Sequence, residues 1–508
     1  MSIAGIDSRV SVWIGDEAVR LSGQAVLIED LHDGSWLRLP FVMETTGGAP
    51  LGEKVRIALH PRPSDAGVES SLSLWCAQAD WSMDGTSDVA SLEAFDPIGL
   101  CAREAQFRSH GGKVPLARLT RTVVSQHGGV DFGQQTLDGA TPTVGHEWLL
   151  QCNESGAAFL RRVARSIGHL VYWNRDRLTC GRIGSPSDAA GESPTLRFGE
   201  DLIRASISTA PDLSSKRFAW TDPTNRTSRP VSFSGRGFGS RGTKAVMNDR
   251  VCLPFEPLAD ASVCAQGWPT GGAVTLETTR ADIVLGSRIQ LPREIAREGC
   301  DDVLVSRVEH WFHGSGSYGN RITCVPRNRW GVSSSSSGAE HSFVGPVQGE
   351  VTHNADPNRL GRVRVTLSDD PAQNVSPWIP FVTPVGSQDT GMYWLPEIGS
   401  RVLLIAESSC PENLYCIGCL WAKESEPNSA WMHDRNATKA LVIPGGIQIL
   451  LDEQKGIRLE TANAGLEITP DGKLRAFGKE LRFAMDATAE IRAQSNVLID
   501  AKRIDLGR

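Results

Sequence analysis

The sequence has no run of 18 consecutive apolar residues, so no segment is expected to span a membrane as a helix. Its first residues, Met1 to Arg9, lack a basic stretch followed by an apolar core, and no signal peptide is expected. It also lacks an excess of positive charge. The 52 basic residues stand against 59 acidic ones, a net charge of −7, and a nucleic-acid binder is usually basic. Eleven cysteines, an odd number scattered over a long chain, do not make a disulfide scaffold and read as reduced cytoplasmic thiols. No G-x-S-x-G elbow and no Walker A sequence occurs. Glycine and proline, by contrast, are plentiful (51 and 28), which favours turns and short strands over long helices. An apolar fraction of 40% and a charged fraction of 22% belong to a folded chain. At about 150 residues per domain, 508 residues suggest three or four domains.

Five serines, Ser333 to Ser337, followed by Gly338 cannot pack a core and read as a linker. Before them, Val10 to Ile14 and Ile283-Val284-Leu285 read as short strands, broken by turns such as Asp33-Gly34. One stretch differs. Asn153-Glu154-Ser155-Gly156 precedes Phe159, Leu160, Val163, Ala164 and Ile167 at helical spacing, with Gly168 as a natural stop, and Leu170 to Trp173 then resumes a strand pattern. After the serines, Val363, Val365 and Leu367 alternate with polar residues, and Trp378 to Val382, Arg401 to Ala406 and Asn413 to Leu420 follow as strands. So many short strands in about 80 residues predict a small closed barrel.

From Gly445 the period is two: Ile447, Ile449, Leu451, then Ile457, Leu459, then Leu466, Ile468. From Leu481 the alternation is long, placing Phe483, Met485, Ala487, Ala489, Ile491, Ala493, Val497, Ile499 and Ala501 on one face and charges such as Arg482, Asp486 and Glu490 on the other. A lone strand of this kind would expose an apolar face and edge. Three identical chains wrapped about a threefold axis would bury it, and Leu481, Phe483, Met485, Ile491, Val497 and Ile499 are the expected trimer core. Over 445–508 basic and acidic residues balance, so neighbouring chains can pair without net repulsion.

The candidates for chemistry are weak. Gly237-Phe238-Gly239-Ser240-Arg241-Gly242 matches G-x-G-x-x-G, but Pro254 follows too soon for the required helix, and a flexible loop is expected. His146-Glu147 begins like a zincin helix, but position 150 is leucine. His310 and His313 sit in a strand-like stretch where i and i+3 face opposite ways, so a shared metal is not expected. Cys416-Ile417-Gly418-Cys419 reads as strand, which would splay the two sulfurs, and both are expected to fill the core, with Cys410 nearby. No catalytic residue, metal site or cofactor is therefore expected.

The motifs carry a resemblance. Gln151-Cys152-Asn153-Glu154-Ser155 before Phe159-Leu160-Arg161-Arg162 is similar to a helix entry of the VgrG family and the related spikes of phage tails and phage-tail-like particles. Gly349-Glu350-Val351, Asp356-Pro357-Asn358-Arg359-Leu360-Gly361-Arg362-Val363, Ser376-x-Trp378 and Leu395-Pro396-Glu397-Ile398-Gly399-Ser400-Arg401 resemble that family's OB-fold, in its order. Glu397 stands where type VI members usually carry an arginine, and Ser408 to Pro411 replaces a G-D-P turn; both lean towards a phage-tail-like particle.

The resemblance implies a mainly β fold: a β-barrel hub with one inserted helix region (1–332), a Ser-rich linker (333–343), an OB-fold neck (344–422), a connector (423–444) and a C-terminal trimeric β-helix or prism (445–508). It implies a non-enzymatic homotrimeric spike that joins inner tube (Hcp-like) and baseplate proteins to a PAAR-like tip. Ile504 and Leu506, which break the alternation, would dock that tip. Effector cargo is an optional partner, nucleic acid is not one, and contact with a target membrane is transient. Assembly would be cytoplasmic, followed by incorporation into the particle and delivery outside the cell. The competing reading is an OB-fold that binds an oligosaccharide or oligonucleotide on a trimeric stalk, supported if aromatics and basic residues share a barrel face.

Overall fold

The computed structural model describes residues 9–42, 50–60, 70–83, 88–126, 143–144, 148–167, 169–182, 195–209, 215–221, 228–234, 250–252, 272–292, 302–326, 345–407 and 410–504. The chain divides into two compact units, Met1–Leu420 and Trp421–Arg508.

The first unit is organised by a twelve-stranded sheet. Its order runs Leu202–Thr209, Gly272–Thr278, Tyr318–Pro326, Asp302–His313, Gln24–Asp30, Trp36–Val42, Asp88–Phe95, Ser70–Met83, Lys54–Leu59, Val10–Ile14 and Glu17–Ala18, with Arg288–Gln290 beside Asp302–His313. The seam is the antiparallel pairing of Gln24–Asp30 with Asp302–His313, which places Leu27 opposite His310 and joins segments nearly 300 residues apart. Strand alternation fills two cores. Leu37 and Leu39, Val55 and Ile57, Leu72 and Leu74, and Leu92 bury on the N-terminal side, and Leu276, Val303, Val305, Val308 and Ile322 bury on the other. Ile283 to Leu285, read as a strand, belongs to no strand; Ile283 and Leu285 instead plug the second core from an irregular segment. A short apolar run cannot tell a strand from a buried loop.

The predicted helix forms over Gly156–Ser166. The Ser155 hydroxyl caps it by accepting from the Ala158 N–H at 3.2 Å. Gly168 lies outside the described residues. Phe159, Leu160, Val163 and Ala164 bury, and Arg161 donates to the His32 carbonyl at 2.7 Å and to Asp33 at 2.9 Å. Two further helices pack with it. Pro97–Cys101 is capped by Asp96, and Leu116–Gln126 buries Leu116, Leu119, Thr120, Val123 and Val124. Among the described residues the helix region thus holds three helices, of which the sequence pattern showed one.

In the second unit, Thr438–Ile443, Ile447–Asp452, Gly456–Glu460, Gly465–Ile468 and Leu474–Phe477 form an antiparallel meander. Gly456 turns the chain at φ +89°, where any Cβ would collide with the Ile468 carbonyl oxygen.

Candidate functional site

Two features of this chain present something for a partner or a function to use: the small barrel and the C-terminal sheet. The barrel strands run in the order Ile379–Pro380, Arg362–Leu367, Val347–His353, Arg401–Glu407 and Cys410–Cys419. The ends of the sheet meet where the Val382 N–H donates to the Cys416 carbonyl at 2.8 Å, closing the barrel. Its interior is Val351, Val363, Val365, Leu367, Ile379, Val402, Leu404, Leu414 and Cys416.

The polar motif residues hold the connections. The Asp356 carboxylate accepts from Arg362 Nε (2.8 Å) and Nη2 (2.9 Å) and from the Asn358 and Leu360 N–H groups (both 3.0 Å). Chiefly through the Arg362 bonds, its pKa is held down at about 2. The Ser376 hydroxyl accepts the Val365 N–H at 3.0 Å, taking the place of a ladder bond where the strand leaves the sheet. Of the aromatics in the barrel segment, Tyr393 and Trp394, between Asp389 and Glu397, and Trp421 at its end are exposed, whereas Trp378, Phe381 and Tyr415 are half-buried. A basic aromatic face is not what the barrel presents, and the binding-module reading is not favoured.

The meander carries an inverted amphipathicity. Cross-strand partners on one face are mostly apolar: Ile443 with Ile447, Leu441 with Ile449, Ile449 with Leu459 and Leu451 with Ile457, continued by the even-numbered Leu466 and Ile468 opposite Leu459 and Ile457, while Lys439 interrupts the face opposite Leu451. That face is the exposed one: Ile447 is 48% and Leu451 47% accessible, while Gln448 and Asp452 on the other face are half-buried. Beyond it, Leu481, Phe483, Met485, Ile491, Val497 and Ile499 are all exposed, Ile491 by 78%, and residues 478–504 form no ladder within the chain. The long alternating stretch is therefore not a paired strand in the single chain. Leu498, an even-numbered residue outside the expected core, is 90% exposed. The apolar face also starts earlier than the alternation from Gly445 indicated: Leu441 and Ile443 belong to it, and the hairpin sequence Ile443-Pro444-Gly445-Gly446 is the signal that marks them. Ile504 is exposed, and Leu506 lies outside the described residues.

The remaining candidates fall as follows. Gly237 to Gly242 and His146-Glu147 lie outside the described residues. His310 is buried, bonded to Glu29 (2.9 Å) and Tyr318 (2.8 Å), and His313 is exposed beside Ser315. Cys416 is buried in the barrel, but Cys419 is exposed and fills no core. A bulge at Ile417 pairs Cys416 with Leu404 and Cys419 with Val402, so the two cysteines share a face instead of splaying. Burial pushes the Cys416 thiol up to about 11 and raises that of Cys419, so both stay protonated at neutral pH. Among the described residues no group of three or more His, Cys, Asp or Glu is placed to hold a metal ion.

Residues 347–421 match the family model of the Type VI secretion system/phage-baseplate injector OB domain. No curated protein matches the sequence. Among solved structures, the chain is similar to the E. coli c3393 protein, described as a component of the type VI secretion system with structural similarity to the T4 bacteriophage tail proteins gp27 and gp5. The TM-score is 0.53 at 13% identity, covering 80% of this chain and 99% of that one. It is also similar to a chain of the Francisella PdpA-VgrG complex (TM-score 0.55, 9% identity, 92% of this chain and 80% of that one). The resemblance carried by the sequence motifs thus holds at the level of fold: this is a mainly β, VgrG-like chain whose barrel matches the injector OB domain of type VI secretion systems and phage baseplates.

Proposed function

We propose that this chain is the central hub-and-spike subunit of a contractile injection apparatus and that it acts mechanically, not as an enzyme. Residues 1–332 are the hub, 333–343 a linker, 344–422 the OB neck, 423–444 a connector whose strand Thr438–Ile443 joins the spike, and 445–508 the spike. Three chains associate through the spike, with Leu481, Phe483, Met485, Ile491, Val497 and Ile499 on the axis. Ile504 and Leu506 receive a PAAR-like tip, while the hub meets Hcp-like tube and baseplate proteins. The assembly forms in the cytoplasm and leaves the cell when the particle fires, carrying any effector cargo and crossing the target envelope.

The observation that supports this most is the exposed, continuous apolar face of the meander and its extension to Ile499. A face of that size facing water is a liability unless it is covered. Identical chains cover it without any additional protein. Light scattering on the intact chain should give three times 54.9 kDa. A monomer at micromolar concentration would end the proposal. Ile457→Asp with Ile491→Asp should abolish the trimer while leaving the hub folded, because three unpaired charges would be buried between the chains at each of the two positions.

A further inference from the structure

Hub and neck share a layer. The two-stranded ribbon Ala105–Gly111 and Trp148–Ser155 pairs Ser109 with Leu150 and Gly111 with Trp148. Period two gives the ribbon two working faces. On one face, Leu149 enters the hub core and His110 stacks on Phe159 at 4.9 Å. On the other, Trp148, Leu150 and Cys152 are buried in the same cluster as Val351, Val365, Leu404 and Cys416, which is the barrel's interior. Few residues of the barrel's apolar cluster are large, and Trp148 is the largest of them.

Polar contacts fix the register of this packing. Arg162, on the capped helix, forks between a hub carboxylate and a barrel carboxylate. It donates to Glu154 at 2.7 Å and to Glu412 through Nη1 at 2.9 and 3.0 Å. Glu412 is fully buried as a side chain and also accepts the Leu150 N–H at 3.3 Å. At the ribbon's other strand, Asp370 of the barrel accepts the Ser109 N–H at 3.0 Å and the Ser109 hydroxyl, and Asn374 donates to the Ser109 carbonyl at 3.2 Å.

We propose that this ribbon is a docking surface for the chain's own OB barrel, strong enough to hold hub and neck together without the covalent connection between them. Force applied to the hub then reaches the neck through buried side chains and not through the serine-rich segment. The partner it fits is an OB barrel that presents its strand Cys410–Cys419, with a buried glutamate at position 412, and an aspartate at position 370. This inference does not depend on the trimer.

The test uses the full chain with a protease site placed in the serine run at 333–337. After cleavage of the folded protein, the two pieces should elute together in gel filtration at low and high salt. Separation of the pieces would overturn the proposal, and a trimeric mass for the released C-terminal piece would show that the trimer reading survives that failure. Asp370→Asn with Glu412→Gln in the same background removes the barrel's buried charges that face the ribbon and leaves Arg162 half-satisfied. Retention should weaken on the order of 100-fold, with Glu397→Gln as an exposed control. If the cleaved double variant holds as tightly as wild type, the pieces adhere elsewhere and the assignment is wrong. Circular dichroism of the uncleaved variants shows that each still folds.

Discussion

His110 and Asp96 titrate against each other across the same range of pH. Burial lowers the His110 imidazole from 6.5 to about 4. A depressed histidine contributes stability at pH above 6.5, and that contribution is lost as the pH falls towards 4. Asp96 is wholly buried while capping Pro97–Cys101, accepting from the Gly99 N–H at 2.6 Å, and burial raises it from 3.8 to about 7. Its contribution is present below pH 3.8 and is lost as the pH rises through 7. The two slopes have opposite sign, so in the wild-type chain each offsets the other between pH 4 and 6.5. Single variants uncover them. In His110→Gln, stability should fall as the pH rises from 4 to 7; in Asp96→Asn it should rise over 4 to 6.5, each by about 3–4 kcal/mol. Urea unfolding at four pH values would check this; parallel pH profiles for the two variants would refute it. At Asp356 the sign is that of an ordinary ion-paired carboxylate. Arg362→Met should cost roughly 1.5–3 kcal/mol at pH 7 and much less at pH 2, where wild-type Asp356 is itself half protonated.

At the scale of elements, the capped helix and the C-terminal hairpins were legible and the ribbon was not. Ser155, the spacing Phe159-Leu160-Val163-Ala164 and the return to strand at Leu170 are local signals with a local physical cause. Leu116–Gln126 carried the same kind of signal, with Leu116, Leu119, Val123 and Val124 at helical spacing, but its buried stripe includes Thr120, and only packing reveals that the Thr120 hydroxyl turns inward to the Leu116 carbonyl at 2.8 Å. In Trp148-Leu149-Leu150, an unbroken apolar run states that both faces are buried but not against what. Leu149→Ala and Leu150→Ala should each cost about 2–5 kcal/mol. Only Leu150→Ala should speed amide exchange in the barrel strands, because its cavity opens on that core. In the meander, Gly456→Ala places a Cβ against the Ile468 carbonyl oxygen at φ +89°. It should destabilise the spike by roughly 1–3 kcal/mol, read as a lower melting temperature of the C-terminal transition.

At the scale of the molecule, the two compact units should unfold in separate transitions. The transition of the first unit should not depend on concentration, since its cores are closed within one chain. That of the second should rise with protein concentration if copies associate through its exposed apolar face as proposed. Calorimetry over a hundredfold range of concentration would show whether one transition moves and the other stays. If neither moves, the exposed face is covered within the chain or not at all.

Features that depend on near neighbours could be read directly from the chain: strand period, helix cap and hairpin turns, together with the order of barrel motifs from Gly349 to Arg401 and the alternating apolar face of the C-terminal segment. Tertiary structure alone decided what depends on distant pairing. It set Gln24–Asp30 against Asp302–His313, turned the ribbon into a layer common to two cores, brought Glu412 to Arg162, and through one bulge put Cys416 and Cys419 on the same face. The physical reason is that period and capping are set by backbone geometry within a few residues. A buried charge pair or a sheet seam is chosen among many long-range alternatives, by whichever one leaves the fewest polar groups without partners and the least apolar surface in water.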